Sequence, residues 1–157
     1  MPTPKSKSAP TKEVKTLNLH QRILEVMKDA AYVKATAEVR AGNHTYKGLS
    51  ATEIIKAVRP ACVKHGIVIY PAKYHKEFMH IEGERMYSGN VQKTLTYFID
   101  LLGEYKVVNV DDPEDFIIVP SISHGIDPQD KGPGKAMTYA MKYVYLNLFM
   151  MFSGEED

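Results

Sequence analysis

From Gly66 onward, the sequence is dominated by runs of β-branched and aromatic residues separated by short polar or glycine-containing intervals. Runs of this kind are typical of β-strands that follow one another as antiparallel neighbours. We therefore predict a meander of three or four strands, with turns at Glu82-Gly83 and at Gly103. The acidic interval Asp111–Asp115 interrupts the last of these runs, and we predict that it forms an exposed polar turn.

Helical patterns flank this β-rich region on both sides. Apolar residues recur at three- and four-residue spacing from Leu19 to about Lys34, which predicts an amphipathic helix. A final helix is predicted from Lys135 or Ala136 to about Phe152. The order of elements indicates an α+β fold, in which an antiparallel three- to four-stranded meander packs against helices on one face.

A further helix is marked by its two ends. Ser50 and Glu53 have the spacing of a capping box, and Gly66 stands where a left-handed C-cap is expected. Pro60 lies inside this helix and removes one backbone hydrogen bond, so we expect a kink or a short interruption near its position. The preceding stretch, Gly42–Gly48, is predicted to be a short connection.

The length and composition are those of one soluble domain. The chain has 157 residues, of which 44% are hydrophobic and 25% charged. We divide it into a basic flexible tail over residues 1–18, a single domain over 19–154 and an acidic end at 155–157. The most apolar stretch, Met137–Phe152, is shorter than the roughly twenty residues that a membrane span needs. We therefore expect no membrane association.

Cys62 is the only cysteine in the sequence. An intramolecular disulfide is therefore excluded, and a reducing compartment such as the cytoplasm is expected. Within an apolar helical pattern, a single cysteine is most often a small core residue. We predict that Cys62 is buried.

Charge is segregated along the chain although the formal total is only +1. Residues 1–98 hold 16 Lys and Arg against 8 Asp and Glu, whereas residues 99–130 hold one basic residue against eight acidic ones. A small total therefore does not exclude a polyanionic partner such as nucleic acid, because basic segments can converge on one folded surface.

The last helix has an unusual surface. Lys135, Tyr139 and Lys142 fall on one face, opposite an apolar sector that we predict to face the core. The residues of that predicted core sector are Met137, Met141, Val144, Leu148 and Met151. One interpretation of the lysine face is a subunit interface with snorkelling lysines. In the other, the two lysines contact phosphates while Tyr139 or Tyr143 offers a ring for base stacking.

A nucleotide-binding loop is not supported by the sequence. The string GPGKA has Gln129 where the motif needs its first glycine, and Ala136 where it needs a hydroxyl after Lys135. The histidines show no ligand spacing with Cys62 that is typical of a zinc site. We expect no cofactor.

One acidic cluster keeps an alternative open. The carboxylates between Asp111 and Asp115 have the chemistry to hold a hard cation, as in a metal-dependent nuclease. They lack the regular alternate-oxygen spacing of a calcium loop, so a solvated turn is the favoured interpretation.

Several segments together resemble a known family. Tyr46 and Lys47 precede the helix that contains Pro60 and ends at Gly66. Gly134 then opens a last-helix signature that is followed by an acidic end; its residues are Thr138, Tyr139, Ala140, Lys142 and Tyr143. In these features, residues 17–157 resemble the Erf family of phage single-strand annealing proteins, which shares a superfamily with the eukaryotic Rad-type annealing mediators.

The resemblance implies an oligomeric ring or helical filament with a β-β-β-α core, located in the host cytoplasm. It implies ATP-independent binding of single-stranded DNA in a basic groove, and annealing of complementary strands through a duplex intermediate in phage homologous recombination. No bond is made or broken, so the protein is not expected to be an enzyme. Single-strand-binding protein or a phage exonuclease is an expected partner. The expected DNA contacts are Lys142, Lys135, Tyr139, Tyr143, Lys131, Arg59, Lys56, Lys47 and Lys93.

The chain departs from the family pattern at Met141, where many members have Arg or Lys before the matched Lys142. The local positive charge is therefore lower than in those members. A purely structural or protein-binding oligomer, with the last helix as its interface, is a second alternative to annealing.

Overall fold

The structure is a computed structural model that describes residues 16–30, 37–41 and 44–151, and only the backbone of the two short strands within 37–48. The predicted acidic end, and all but the last residues of the predicted basic tail, lie outside this part of the chain. The described elements are α1 (Leu19–Asp29), β1 (Ala37–Ala41), β2 (His44–Gly48), α2 (Ala51–Lys64), β3 (Ile67–Tyr87), β4 (Asn90–Asn109), β5 (Asp112–Asp127) and α3 (Gly132–Leu148). The α+β class with an antiparallel meander is confirmed.

Helix α1 begins with a capping box between Asn18 and Gln21. It ends at Asp29, because the backbone is already extended at Ala30. The predicted extension to about Lys34 is therefore wrong at Ala30, and residues 31–36 lie outside the described part of the chain.

Helix α2 has the predicted ends. The Ser50 hydroxyl accepts from the Glu53 N–H at 3.2 Å, and the Glu53 carboxylate accepts from the Ser50 N–H at 3.1 Å. Gly66 adopts a φ of 65°, as a left-handed cap requires. The helix passes through Pro60 without the expected interruption. Burial of residues such as Ile54 and Val58 on one face holds it together despite the missing hydrogen bond.

The predicted connection before α2 is instead a β-hairpin. Strands β1 and β2 pair antiparallel, with Val39 opposite Tyr46. The sequence interpretation missed it because two five-residue strands give too short a run for a periodicity to be recognised.

The main sheet has three strands in the order β3-β4-β5. The turn between β3 and β4 is at Ser88-Gly89, whose φ values of 51° and 80° are those of a tight two-residue hairpin. The predicted turn at Glu82-Gly83 is wrong, since both residues lie inside β3.

Gly103 is also not a turn. It lies inside β4, opposite Tyr74 of β3 and Ser121 of β5. A Cβ at this position would come within 2.7 Å of the Tyr105 ring and 3.2 Å of the Tyr74 ring. The glycine therefore makes room for two tyrosines that pack edge-on, with ring centroids 6.0 Å apart.

The predicted acidic turn lies where the sequence placed it, between β4 and β5, but parts of it are bound to α1. The Asp111 carboxylate accepts from the Arg22 guanidinium. Asp115 accepts from the N–H of Leu19 at 2.6 Å and from the Asn109 amide at 3.0 Å. This turn therefore anchors the first turns of α1.

Helix α3 packs on the inner face of the sheet through small residues. It begins three or four residues before the predicted start and ends at Leu148, before the predicted end at about Phe152. Pro133 lies in its first turn, where the missing N–H costs little. Its buried residues are Gly132, Ala136, Ala140 and Val144. Of the predicted core sector only Val144 is fully buried, and Met137 is exposed.

The small residues of α3 face a part of β5 whose side chains are also small. The Ser121 hydroxyl donates to the Ala140 carbonyl at 2.9 Å, and the Ser123 hydroxyl donates to the Ala136 carbonyl at 2.7 Å. These contacts fix the position of α3 over β5. Apart from this contact, residues of α1, α2 and the sheet form an apolar core cluster. Cys62 is buried in this cluster, as predicted.

No helix among the described residues is both long and apolar enough to cross a membrane.

Candidate nucleic-acid interface

Lys142 lies at the junction of α3 with the segment that leads into α2. Its ammonium group donates to the Leu49 carbonyl at 3.2 Å. It also lies 5.3 Å from the centroid of the Tyr139 ring and 5.4 Å from that of Tyr143. Partial burial lowers the pKa of Lys142 from its usual 10.5. The side chain is thus a positioned cation between two aromatic rings.

The two rings are open to solvent. Tyr139 is 46% exposed and Tyr143 is 42% exposed, although Ala136 and Ala140 of the same helix are fully buried. Tyr143 borders a shallow groove along β5 that Pro120 and Ile122 also line. Exposed rings beside a cation are the combination that sequence-tolerant binders of single strands use, because every base has a stackable face.

Lys135, the second lysine expected on this face, is held by an internal partner. Its ammonium group donates to the Asp127 carboxylate at 2.6 Å and to the Ile126 carbonyl at 3.0 Å. The hydrogen bond from Lys135 holds the pKa of Asp127 below its usual 3.8. Asp127 is buried, so this pair fastens the end of β5 to the first turn of α3. Lys135 is therefore less available to a phosphate than Lys142.

Three other expected cations lie on or beside the helices. Lys131 is the exposed N-cap residue of α3. Arg59, on α2, borders a cleft that Tyr145 of α3 also lines. Lys56 is one helical turn before Arg59 and is exposed. The structure thus places Arg59 near α3 and leaves Lys56 accessible on the same side of α2.

The last two expected cations are placed differently. Lys47 lies in β2, where the backbone alone is described. Lys93 lies opposite Glu84 near the far end of the β3–β4 hairpin. It is six residues along β4 from Ile99, which packs against Gly132 of α3, and this corresponds to a separation of about 20 Å. Lys93 therefore does not share a surface patch with Lys142 in one protomer.

The acidic residues do not form a cation site in the described part of the chain. No group of three or more His, Cys, Asp or Glu side chains there has an arrangement that could hold a metal ion. Asp111 and Asp115 instead bind Arg22 and the start of α1.

The family model of the ERF superfamily matches residues 15–157. The chain belongs to the ERF superfamily. This confirms, at the level of the family, the resemblance inferred from the last-helix signature and the Tyr-Lys pair. No curated protein and no solved structure gives a significant match.

Two features of this ERF superfamily chain were missed by sequence reasoning. Asp127, which holds Lys135, was counted only as part of an acidic block, and the Leu49 carbonyl, which holds Lys142, has no sequence signal at all. Asp127 and Lys135 are eight residues apart across a loop. No helix or strand periodicity connects such a pair, so only the fold reveals the contact.

Proposed function

We propose that this ERF superfamily protein binds single-stranded DNA and anneals complementary strands in phage homologous recombination, without ATP or another cofactor. Family membership supports this assignment. The observation that carries it is the exposed face of α3, where the Lys142 ammonium is held between the rings of Tyr139 and Tyr143.

The contacts of Lys142 fit phosphate binding. An ammonium group has three N–H donors, and one of them is used by the Leu49 carbonyl. The remaining donors have no hydrogen-bond partner among the described residues, and they can meet a phosphate oxygen. The contact with Leu49 also fixes the position of the charge, so less side-chain freedom is lost when DNA binds.

The chemistry of annealing requires binding and no bond making. Two single strands repel through their phosphates, and a row of cations lowers that repulsion while the bases stay accessible for pairing. We include Lys131, Arg59 and Lys56 in this row, with Lys142 at its centre. Lys135 has a supporting role through Asp127, and Lys47 and Lys93 are secondary contacts.

The proposal includes assembly and partners. We propose a homo-oligomer, either a ring or a helical filament, that acts in the host cytoplasm and holds the annealed duplex as an intermediate. Single-strand-binding protein or a phage exonuclease would deliver the strands.

Lys142→Ala tests the proposal directly. We expect weaker binding of a fluorescein-labelled oligo(dT), measured by anisotropy, and a salt dependence whose slope falls by about 0.7 because one phosphate contact is lost. Tyr143→Leu should cost roughly 1–3 kcal/mol of binding free energy through lost stacking. Lys28→Ala, which removes an exposed lysine of α1, is the matched control and should bind as the wild type does.

Two outcomes would contradict the proposal. If Lys142→Ala has a native circular dichroism spectrum and binds the oligonucleotide as the wild type does, Lys142 is not part of the DNA-binding site. Degradation of the oligonucleotide on addition of Mg²⁺ would instead favour the nuclease alternative. Annealing is measured separately, as energy transfer between complementary labelled strands in the absence of nucleotide.

A further inference from the structure

Strands β3 and β4 extend well beyond the third strand of the sheet. The pairing of β4 with β5 ends at Tyr97 and Asp127, whereas β3 and β4 remain paired to the Ser88-Gly89 turn. Residues 81–96, which we call the arm, therefore form a two-stranded hairpin about 24 Å long. Two-stranded hairpins are marginally stable in water by themselves, so an arm of this length indicates a partner.

The arm carries apolar side chains on both faces, and nothing in the described part of the chain covers them. Every residue from 75 to 95 is exposed, a run of 21 residues. The exposed apolar side chains of the arm are Ile81, Met86, Tyr87, Val91 and Leu95. Among the described strands, none pairs with the outer edge of either strand of the arm, and such edges are templates for association.

A second uncovered surface lies on β5. The residues of β5 that point toward the helices are covered by α3, but those on the opposite face are exposed. This outer face carries Phe116, Ile118, Ile122 and Ile126. A strand that is apolar on both faces has the pattern of a strand buried on both sides. In the described part of the chain, nothing covers this outer face.

We propose that the arm of one copy packs on the outer face of β5 of the next copy. The two surfaces differ, so the contact is heterologous, and repeated head-to-tail contacts of this kind produce a closed ring or an open helical filament. This inference takes from the proposed function only the assumption that the protein forms a homo-oligomer.

The charge and size of the arm favour a second copy over DNA as the occupant. The arm carries two acidic residues, Glu82 and Glu84, and two basic ones, Arg85 and Lys93, so it has no excess charge to attract a polyanion. Together with residues 75–80, which precede it on β3, the arm gives a run of 21 exposed residues, within the 20–30 residues per side of a standard protein interface. Each copy offers both the arm and its receiving surface.

Two variants separate the surfaces. Ile81→Glu with Met86→Glu places charges on both faces of the arm, and Ile118→Glu with Ile126→Glu places charges on the outer face of β5. We expect each variant alone to have the mass of a single chain in sedimentation velocity, with a native circular dichroism spectrum. An equimolar mixture should give a one-to-one dimer, because one intact arm and one intact face remain. Leu24→Glu with Val63→Glu, at exposed apolar positions of α1 and α2, should keep the wild-type mass.

Several results would overturn the inference. The wild type could be monomeric, or either charged variant could keep the mass of the wild-type assembly. The equimolar mixture could also stay monomeric or reach the mass of the wild-type assembly. If a charged variant loses its native spectrum, Ile81→Ser with Met86→Ser should still lower the mass at low protein concentration, and an unchanged mass would count against the arm.

The same samples distinguish this inference from the proposed function. A wild type that assembles through the arm but binds no oligo(dT) would contradict only the function. An arm variant that keeps the wild-type mass and binds oligo(dT) would contradict only the interface.

Discussion

At the scale of single residues, the carboxylates of Asp111 and Asp115 have a structural role that the sequence did not indicate. The sequence favours a solvated turn at Asp111–Asp115, but Asp115 accepts from the N–H of Leu19 at the start of α1. A carboxylate at a helix N-terminus is favourable because the free N–H groups carry partial positive charge. The Arg22 guanidinium also donates to the Leu17 and His65 carbonyls, each at 2.9 Å, and these bonds offset the cost of burying its charge. These polar contacts hold α1 against the sheet.

Asp115 is predicted to make stability depend on acid pH. The Asn109 amide and the Leu19 N–H lower the pKa of Asp115 below 3.8. A lowered pKa in the folded state means that its contribution is present above about pH 3.8 and is lost as the pH falls through the folded value. Asp115→Asn should therefore unfold at lower urea than the wild type at pH 7. The difference should shrink as the pH is lowered below 3.8.

Asp130→Asn, at an exposed carboxylate, is the control for this experiment and should behave as the wild type at both pH values. An Asp115→Asn variant with wild-type stability at pH 7 would show that the contact with α1 contributes nothing.

At the scale of elements, the seating of α3 on β5 depends on small residues. A Cβ on Gly125 would lie 2.0 Å from the Gly132 carbonyl oxygen, so strand and helix touch through their backbones. This contact fixes where α3 begins and so where Lys142 and its two tyrosines are displayed. Hydrophobicity alone predicts a neighbouring face of the helix, because it ranks Met137 above Ala136 and Met141 above Ala140.

Gly125→Ala tests this close contact. The added methyl group collides with backbone atoms that cannot move independently, so we expect a loss of about 3 kcal/mol in the free energy of unfolding, the upper end of the usual cost of overpacking. Gly134→Ala is the matched control, since a Cβ there meets nothing within 4 Å. It should be neutral or stabilise the helix by up to about 1 kcal/mol. Equal stability of the two variants in urea denaturation would show that α3 is not held this closely.

At the scale of the whole molecule, the fold separates the charges that the sequence holds in blocks. Some acidic residues of the sheet and its turns face partners within the sheet or on α1: Asp100 lies 3.1 Å from His124, and Asp111 binds Arg22. Asp127 reaches α3, where it holds Lys135. A formal charge of +1 therefore says little about the helical side of the protein.

This separation predicts which lysines DNA protects. Acetylation with and without oligo(dT), read by mass spectrometry, should show reduced labelling of Lys142, Lys131 and Lys56. Lys28, on α1, should be labelled equally in both samples, because it lies outside the proposed path. Protection of Lys28 together with loss of protection at Lys142 would place the DNA elsewhere.

The sequence by itself determined the α+β order, both ends of α2, the burial of Cys62 and the family. These are encoded by local signals: a capping box, strand-forming runs and a last-helix signature lie within a few residues of one another. It failed at Gly103 and at the core face of α3, and it did not show the arm. Those features depend on which elements touch across the sheet, so only the tertiary structure decided them. For the same reason, the sequence predicted the same DNA-binding role for Lys142 and Lys135. The fold distinguishes them, because Lys142 lies between two tyrosine rings whereas Lys135 is bound by the Asp127 carboxylate.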